Sequence, residues 1–395
     1  MLISRNIEPV IIEACSYFSI ITVTGPRQSG KTTLIKQLFS DYKYYSLENP
    51  DTKLLAINDP LGFLQSHEKG IILDEVQNVP ELFSYIQGLV DENKDRKFVL
   101  SGSSNFALMK NISQSLAGRT AVFELLPLSY NEVSNLTLQK SIDGILFDGL
   151  YPAIYSGEKT ASFLYPNYVK TYLDRDVRDL LNVKNITQFH TFLRLCAGRI
   201  GSLFNASELA NETGVSVTTI NSWLSALQAS YIIYLLPPYF ENIKKRLVKH
   251  PKLYFADTGL ACYLLDIENA EQLNRDKMRG HLFENFIVME FLKNRYNKAK
   301  ESNLYFYRDS NHNEVDLILR NGNNFDITEI KSSMTYNSDF ETGIKYFSKL
   351  FNNRVVNKQI IYCGELENLA GDIKLLNYKK LPTLFRIASF PLMRL

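Results

Sequence analysis

The sequence predicts an α/β protein in three parts. A parallel sheet built around a phosphate-binding loop comes first, a mostly helical connector second, and another α/β unit last. Three observations predict this. Gly25-Pro26-Arg27-Gln28-Ser29-Gly30-Lys31-Thr32-Thr33 fits G-x-x-x-x-G-K-[ST] between a β-branched run, Ser19 to Thr24, and a helix-patterned run, Lys31 to Phe39. Gly70-Ile71-Ile72-Leu73-Asp74-Glu75 is an apolar strand ending in two acids. Near the C-terminal end, a long amphipathic helix precedes three strand-like runs that carry Asp316, Glu329 and Lys331.

Size and composition bound the answer. At 395 residues the chain exceeds one hydrophobic core. Its 45% hydrophobic and 22% charged residues are ordinary for a globular protein, and a net charge of +2 leaves any basic surface local. Cys15, Cys196, Cys262 and Cys363 lie far apart, which speaks against a disulfide framework or a zinc site. No signal-peptide layout opens the chain, and no apolar run approaches the roughly 20 residues of a membrane helix. The expectation is a cytoplasmic protein with no membrane partner.

In chain order, a short helix to Cys15 leads into the first strand. Glycines in the loop after it let backbone N–H groups curl around phosphates, and the following helix adds its positive N-terminal end. Gly25, Arg27, Gln28, Ser29, Gly30, Lys31, Thr32 and Thr33 are therefore the candidate ATP contacts. Lys31 would reach the β/γ-phosphates and the Thr32 hydroxyl would ligate Mg2+. Tyr44 to Glu48 reads as a second strand, and Asp59-Pro60 starts a helix ending near Gly70. Asp74 would hold Mg2+, and Glu75 is placed to polarise the attacking water.

The strand Lys97 to Leu100 runs into Ser101-Gly102-Ser103-Ser104. Small polar residues there face the ligand crevice, so one of the serines, with Ser103 chosen, would sense the γ-phosphate; a plain serine N-cap is the alternative. Arg119, before the strand Ala121 to Leu125, would approach phosphate as a finger or sensor, or else stay solvated at the surface.

The segments GPRQSGKTTL, GIILDEVQ, VLSGSSN and LAGRTAVFELLPLS, in this order over residues 15 to 135, resemble a large group of bacterial and archaeal AAA-type P-loop ATPases. Members carry a C-terminal domain of uncharacterised function. The resemblance implies an AAA-like P-loop NTPase fold: a five-stranded parallel sheet, the P-loop strand central, binding Mg2+ and ATP. The run Tyr168 to Val177 resembles the family's connecting helix, with its Y-L-x-R-D segment. Arg175 and Asp176 would contact nucleotide or a neighbouring subunit, or form a structural ion pair. Phe255 to Ala261 resembles the family's C-terminal domain.

The connector reads as helical, with Pro127, Pro152 and Pro166 as breaks. Ser207 to Gly214 and Thr218 to Ser230 have helix-turn-helix spacing. Strand-like runs Tyr231 to Leu236 and Lys252 to Phe255 follow, with a basic stretch, 242–250, between them. A winged-helix segment is expected, serving DNA contact, or packing and oligomer contact, since Thr219, Asn221, Ser222 and Ser225 carry no charge.

The last third supplies the helix Gly280 to Arg295 with Glu284 on it, then Tyr305 to Arg308, Glu314 to Leu319 and Phe325 to Lys331. Alternation puts Glu329 and Lys331 on one strand face. An acid on a helix, an acid on a strand and E-x-K on the next resemble the restriction-endonuclease-like, PD-(D/E)xK core, although Val315 stands where the usual proline would be. Asp316 and Glu329 would bind Mg2+, Lys331 would orient water, and Glu284 would assist. The expected division is 1–135 ATPase, 136–265 connector and winged helix, and 266–395 nuclease-like unit. The expected function is an Mg2+-dependent ATPase whose nucleotide state controls a DNA- or protein-binding C-terminal module; the alternative is an ATP-dependent DNA nuclease. ATP is the expected ligand, and DNA, another copy of the chain or a protein partner are the further ones.

Overall fold

The computed structural model describes residues 2–67, 69–103, 105–173, 186–240, 250–367 and 372–385. The N-terminal sheet holds strands β1 (Ile20–Thr24), β2 (Lys43–Ser46), β3 (Ile71–Asp74), β4 (Phe98–Gly102) and β5 (Thr120–Glu124), all parallel, in the order β2-β3-β4-β1-β5. The P-loop strand β1 is thus internal but not central; β4 is the middle strand. Alternation along the strands feeds two cores. Ile20, Leu73 and Leu100 pack with Leu82, Phe83 and Ile86 on one face. Ile21, Val23, Ile72 and Val99 pack with Leu34 and Ile35 on the other. Because the strands are parallel, the loops after β1, β3 and β4 all leave from one edge.

A helix the sequence reading passed over, Pro50–Asn58, precedes the expected one, Pro60–Gln65. Its signal was local: Asn49 accepts from the N–H groups of Asp51 and Thr52, with Pro50 at the first turn.

The connector contains helices Ile142–Asp148, Pro152–Tyr155, Ala161–Tyr168 and Ile186–Ala197. Pro166 lies inside Ala161–Tyr168 instead of breaking it. Helices Ala206–Thr213 and Val217–Ala229 form the expected pair, capped by Asn205 and Ser216 and separated by Gly214 in the left-handed region. The exposed face of the second includes Asn221, Ser222 and Ser225, all uncharged. Strands β6 (Ile233–Leu236) and β7 (Lys252–Phe255) pair antiparallel. The basic stretch, save His250, lies outside the described residues, as do Arg175 and Asp176.

The C-terminal sheet is mixed: β8 (Leu304–Arg308), β9 (Glu314–Asn321) and β10 (Asn324–Lys331) form an antiparallel meander, and β10, β11 (Val355–Tyr362) and β12 (Lys374–Asn377) run parallel. The long helix Arg279–Tyr296 covers one face and Thr342–Phe351 the other. One apolar cluster runs from Leu126 and Tyr130 through the connector into Phe286 and Tyr378. The connector and the C-terminal unit therefore share a core. No helix among the described residues is long and apolar enough to cross a membrane.

Candidate functional site

A cleft of about 480 Å3 opens where β1 and β3 end. Arg27, Gln28, Gly30, Lys31, Thr32, Thr33, Asp74 and Glu75 line one wall, and Leu2, Ile3, Arg5 and the connector stretch Pro152 to Lys159 line the other. The connector wall was not foreseen, because nothing in its local sequence marks it.

Backbone shape makes the cradle. Gly25 has φ +147°, and a Cβ there would stand 2.2 Å from the Leu125 carbonyl oxygen. Gly30 has φ +94° and starts the helix Lys31–Leu38, whose N-terminus faces the cleft. Lys31 is buried, and its Nζ donates to the carbonyls of Gly25 (2.9 Å) and Pro26 (2.8 Å). The Ser29 hydroxyl and Gln28 Oε1 are buried without a hydrogen-bond partner. Buried polar atoms are rarely left so. The orphaned Ser29 hydroxyl, which can donate, a buried ammonium and a glycine cradle fit a polyphosphate.

The two acids of β3 are held differently. Asp74 accepts from Thr32 Oγ1 (2.8 Å), from the Tyr44 hydroxyl (2.8 Å) and from the Ser101 hydroxyl. Hydroxyl and carboxylate oxygens side by side are a donor set suited to Mg2+. Burial and the neighbouring Asp74 push the Tyr44 hydroxyl well above its ordinary pKa, so it stays a donor. Tyr44 was missed as a site residue, although its strand was placed. Glu75 sits at φ 54°, ψ 46°, a left-handed conformation uncommon outside glycine. Its carboxylate accepts from the Gln77 amide, from Ser103 Oγ (3.1 Å) and from Ser103 N (3.3 Å). Ser103 thus touches the second acid rather than lining the cleft.

Arg119 is not brought to this cleft. It precedes β5, whose first residue pairs with Ile20 at the start of β1, and its guanidinium forms a bidentate pair with Asp91 (2.7 and 2.8 Å). The phosphate-facing edge is the other end of the strands.

Arg5, close to the N-terminus, also went unnoticed. Its guanidinium donates to the carbonyls of Ser29 and Leu126 (2.8 Å each) and pairs with Glu132 (3.1 Å). Glu132 accepts from Ser129 N, and Tyr130 N donates to Glu290 (2.7 Å). Glu290 pairs with Lys293 (3.0 Å), whose Nζ donates to the Leu128 carbonyl (2.9 Å). Polar contacts therefore run from the P-loop to the long helix.

The structure brings Glu284, Asp316, Glu329 and Lys331 near one another, together with Lys252. Lys252 of β7, 2% exposed, places Nζ 3.0 Å from Glu284, 2.5 Å from Glu314 and 4.0 Å from Asp316. The Tyr254 hydroxyl donates to Glu284 (2.6 Å). Lys331 lies 2.6 Å from Glu329 and 3.7 Å from Asp316, and Ile330 N donates to Asp316 (2.8 Å). Burial opposes the charge on Lys252, but Glu284, Tyr254, Asp316 and Glu314 outweigh it and hold the pKa well above that of an ordinary lysine. Burial, then Asp316, pushes Glu329 up to about 8, with Lys331 pulling the other way. The donors do not fit a divalent metal as they stand, because ammonium groups already occupy the carboxylates. Among the described residues, no group of three His, Cys, Asp or Glu side chains is arranged to hold one.

Comparison with known proteins places these features. Residues 17–134 match the family described as AAA domain, 139–271 a domain of unknown function (DUF8612) and 279–381 a domain of unknown function (DUF4143). Uncharacterized protein Rv2008c of Mycobacterium tuberculosis is 32% identical over 308 residues, 76% of this chain and 67% of its own. Uncharacterized protein MJ1544 of Methanocaldococcus jannaschii is 23% identical over 349 residues, 80% of this chain and 75% of its own. Among solved structures, the Walker-type ATPase PABY2304 of Pyrococcus abyssi aligns over 67% of this chain and 96% of its own at 13% identity, TM-score 0.46. With an AAA domain of the P-loop ATPase type at its head, the chain belongs to the family of the mycobacterial protein Rv2008c.

Proposed function

We propose that the chain is an Mg2+-dependent ATPase whose nucleotide state is passed to its C-terminal unit, within the division 1–135, 136–265 and 266–395. The observation that carries this is the contact series from the Ser29 carbonyl through Arg5, Glu132 and Tyr130 to Glu290. A loop that rearranges around phosphate pulls on Arg5, and Arg5 shares its carboxylate partner with the segment that docks the long helix. The same helix carries Glu284 six residues earlier.

The roles follow from placement. Lys31 exchanges two loop carbonyls for β/γ-phosphate oxygens, a charge-assisted gain. Gly25 to Thr33 supply backbone donors, and Ser29 finds a partner. Thr32 and Asp74 hold the metal, which supplies positive charge opposite the triphosphate. Glu75, oriented by Ser103 and Gln77, polarises the attacking water. Arg119 serves phosphate only from a neighbouring copy. The C-terminal unit binds a partner, DNA or protein. The alternative, an ATP-dependent DNA nuclease, draws on the convergence of Glu284, Asp316, Glu329 and Lys331, and it needs a metal where Lys252 now sits.

The test couples two readouts on the full chain: phosphate release from Mg2+-ATP, and amide hydrogen exchange with and without ATP. The expected result is Mg2+-dependent turnover together with at least a threefold change in exchange across residues 284–296. Turnover with no exchange change beyond residue 250 would retain the ATPase and remove the coupling.

A further inference from the structure

We infer that Tyr44 is a cation-selectivity residue of the nucleotide site. Its hydroxyl occupies the Asp74 carboxylate and keeps it from serving a divalent cation freely, which favours Mg2+ over a larger ion such as Ca2+. This rests on the ATPase reading and deepens it.

Three elements each deliver a hydroxyl to Asp74. Thr32 comes from the helix after the P-loop, Tyr44 from the edge strand β2 and Ser101 from β4. Strand register explains the last two. Asp74 is paired with Ser46 on one side and with Ser101 on the other. Ser101 therefore meets it directly, whereas the longer Tyr44 reaches it from two residues before Ser46. Thr32 Oγ1 and the Tyr44 hydroxyl both donate to Oδ2, each at 2.8 Å, and Ser101 donates to Oδ1. Asp74 itself is 6% exposed. On its other side the Tyr44 ring carries the Lys36 ammonium 3.5 Å from its centroid, which holds the ring against the P-loop helix.

An ionised carboxylate offers about four acceptor positions, two on each oxygen. The two donors on Oδ2 take both of its positions, and Ser101 takes one of those on Oδ1. A cation seated on Thr32 Oγ1 thus finds the neighbouring carboxylate oxygen already in use. Mg2+ tolerates this, because it keeps several of its waters and draws on only about one or two protein carboxylates. Ca2+ gathers roughly six to eight oxygens in a looser shell and gains more from a carboxylate that is free to join it. Packing β2 on β3 calls for a ring at this position. It does not call for a hydroxyl aimed at the oxygen that Thr32 shares.

Isothermal titration of the non-hydrolysable ATP analogue AMP-PNP into the full chain tests this, in EDTA, in Mg2+ and in Ca2+, for wild type, Tyr44→Phe and Ser101→Ala. The solution affinity of each cation for the nucleotide cancels when the chains are compared. Wild type is expected to gain more from Mg2+ than from Ca2+. Tyr44→Phe is expected to raise the ratio of Ca2+-supported to Mg2+-supported affinity about fivefold or more, with the EDTA affinity within about twofold of wild type. Ser101→Ala, which frees a position on Oδ1, is expected to move the ratio the same way. A merely structural role would lower all three affinities together and leave the ratio alone. An unmoved or lowered ratio in folded Tyr44→Phe overturns the proposal; should Tyr44→Phe not fold, the same result with Ser101→Ala does so. A wild type whose binding ignores divalent cations removes the ATPase reading and this proposal with it. Cation-dependent wild-type binding with an unmoved ratio removes only the role of Tyr44.

Discussion

Replacing Glu75 by Gln is expected to lower ATP turnover by about 10²–10⁴-fold, the usual contribution of a positioned base, while ATP binding stays within a few fold of wild type. Gln keeps the volume and can still meet Ser103 and Gln77, so the cleft is conserved in shape. What is lost is the charge that draws a proton from the attacking water. The left-handed backbone at Glu75 belongs to the same account. A non-glycine residue held in that region costs on the order of 1–3 kcal/mol, and here it turns the carboxylate away from β3 and towards Ser103. Single-turnover phosphate release beside equilibrium ATP binding checks this. Turnover within threefold of wild type would remove Glu75 from the chemistry.

The second large effect falls on folding. Glu290→Leu is expected to destabilise the chain by about 3–5 kcal/mol, because it leaves the Lys293 ammonium buried without its counter-charge. Both side chains are almost inaccessible, at 1% and 3% exposed. Tyr130 N loses its acceptor as well, and an unmade buried hydrogen bond costs about 1–3 kcal/mol. Burial pushes the Glu290 pKa up, and Lys293 with Tyr130 N partly restores it, so the carboxylate depends on both partners. The companion Glu290→Leu/Lys293→Met removes both charges and is expected to regain most of the loss. Urea midpoints of the three chains decide. Equal instability of single and double variants would mean that packing, not the ion pair, sets the cost. The double is also expected to weaken the ATP-dependent exchange change in the long helix, since it cuts the contact series at its last link.

How much of this was legible in the sequence depends on how far apart the cooperating residues lie. Gly25 to Thr33 are contiguous, and Asp74 and Glu75 end one apolar run, so the ATP site could be read from short segments whose geometry is local. Arg119 was legible too, with a phosphate role and a surface role both open; it precedes its strand and pairs with Asp91, and in a parallel sheet the ligand edge lies where strands end. The position of β1 beside β5 is a matter of strand order, which no local pattern encodes. Arg5, Glu290 and Lys293 meet partners more than a hundred residues away and look like ordinary surface charges in the sequence. Lys252 opens a strand of aromatic and aliphatic residues, with no hint that three acids converge on it. Glu284, Asp316, Glu329 and Lys331 were singled out because they match a known pattern, an acid on a helix, an acid on a strand and E-x-K on the next, while Lys252, which lies against them, belongs to no such pattern.

The central claim is that a nucleotide polyphosphate is held by Lys31 together with Mg2+. Isothermal titration of ATP into the full chain, with Mg2+ or with EDTA, for wild type and Lys31→Ala, addresses it directly. The account predicts saturable binding by wild type, weakened at least tenfold by EDTA and about a hundredfold, roughly 2.7 kcal/mol, by Lys31→Ala. Binding that survives both changes unaltered, or no binding by wild type, would contradict it.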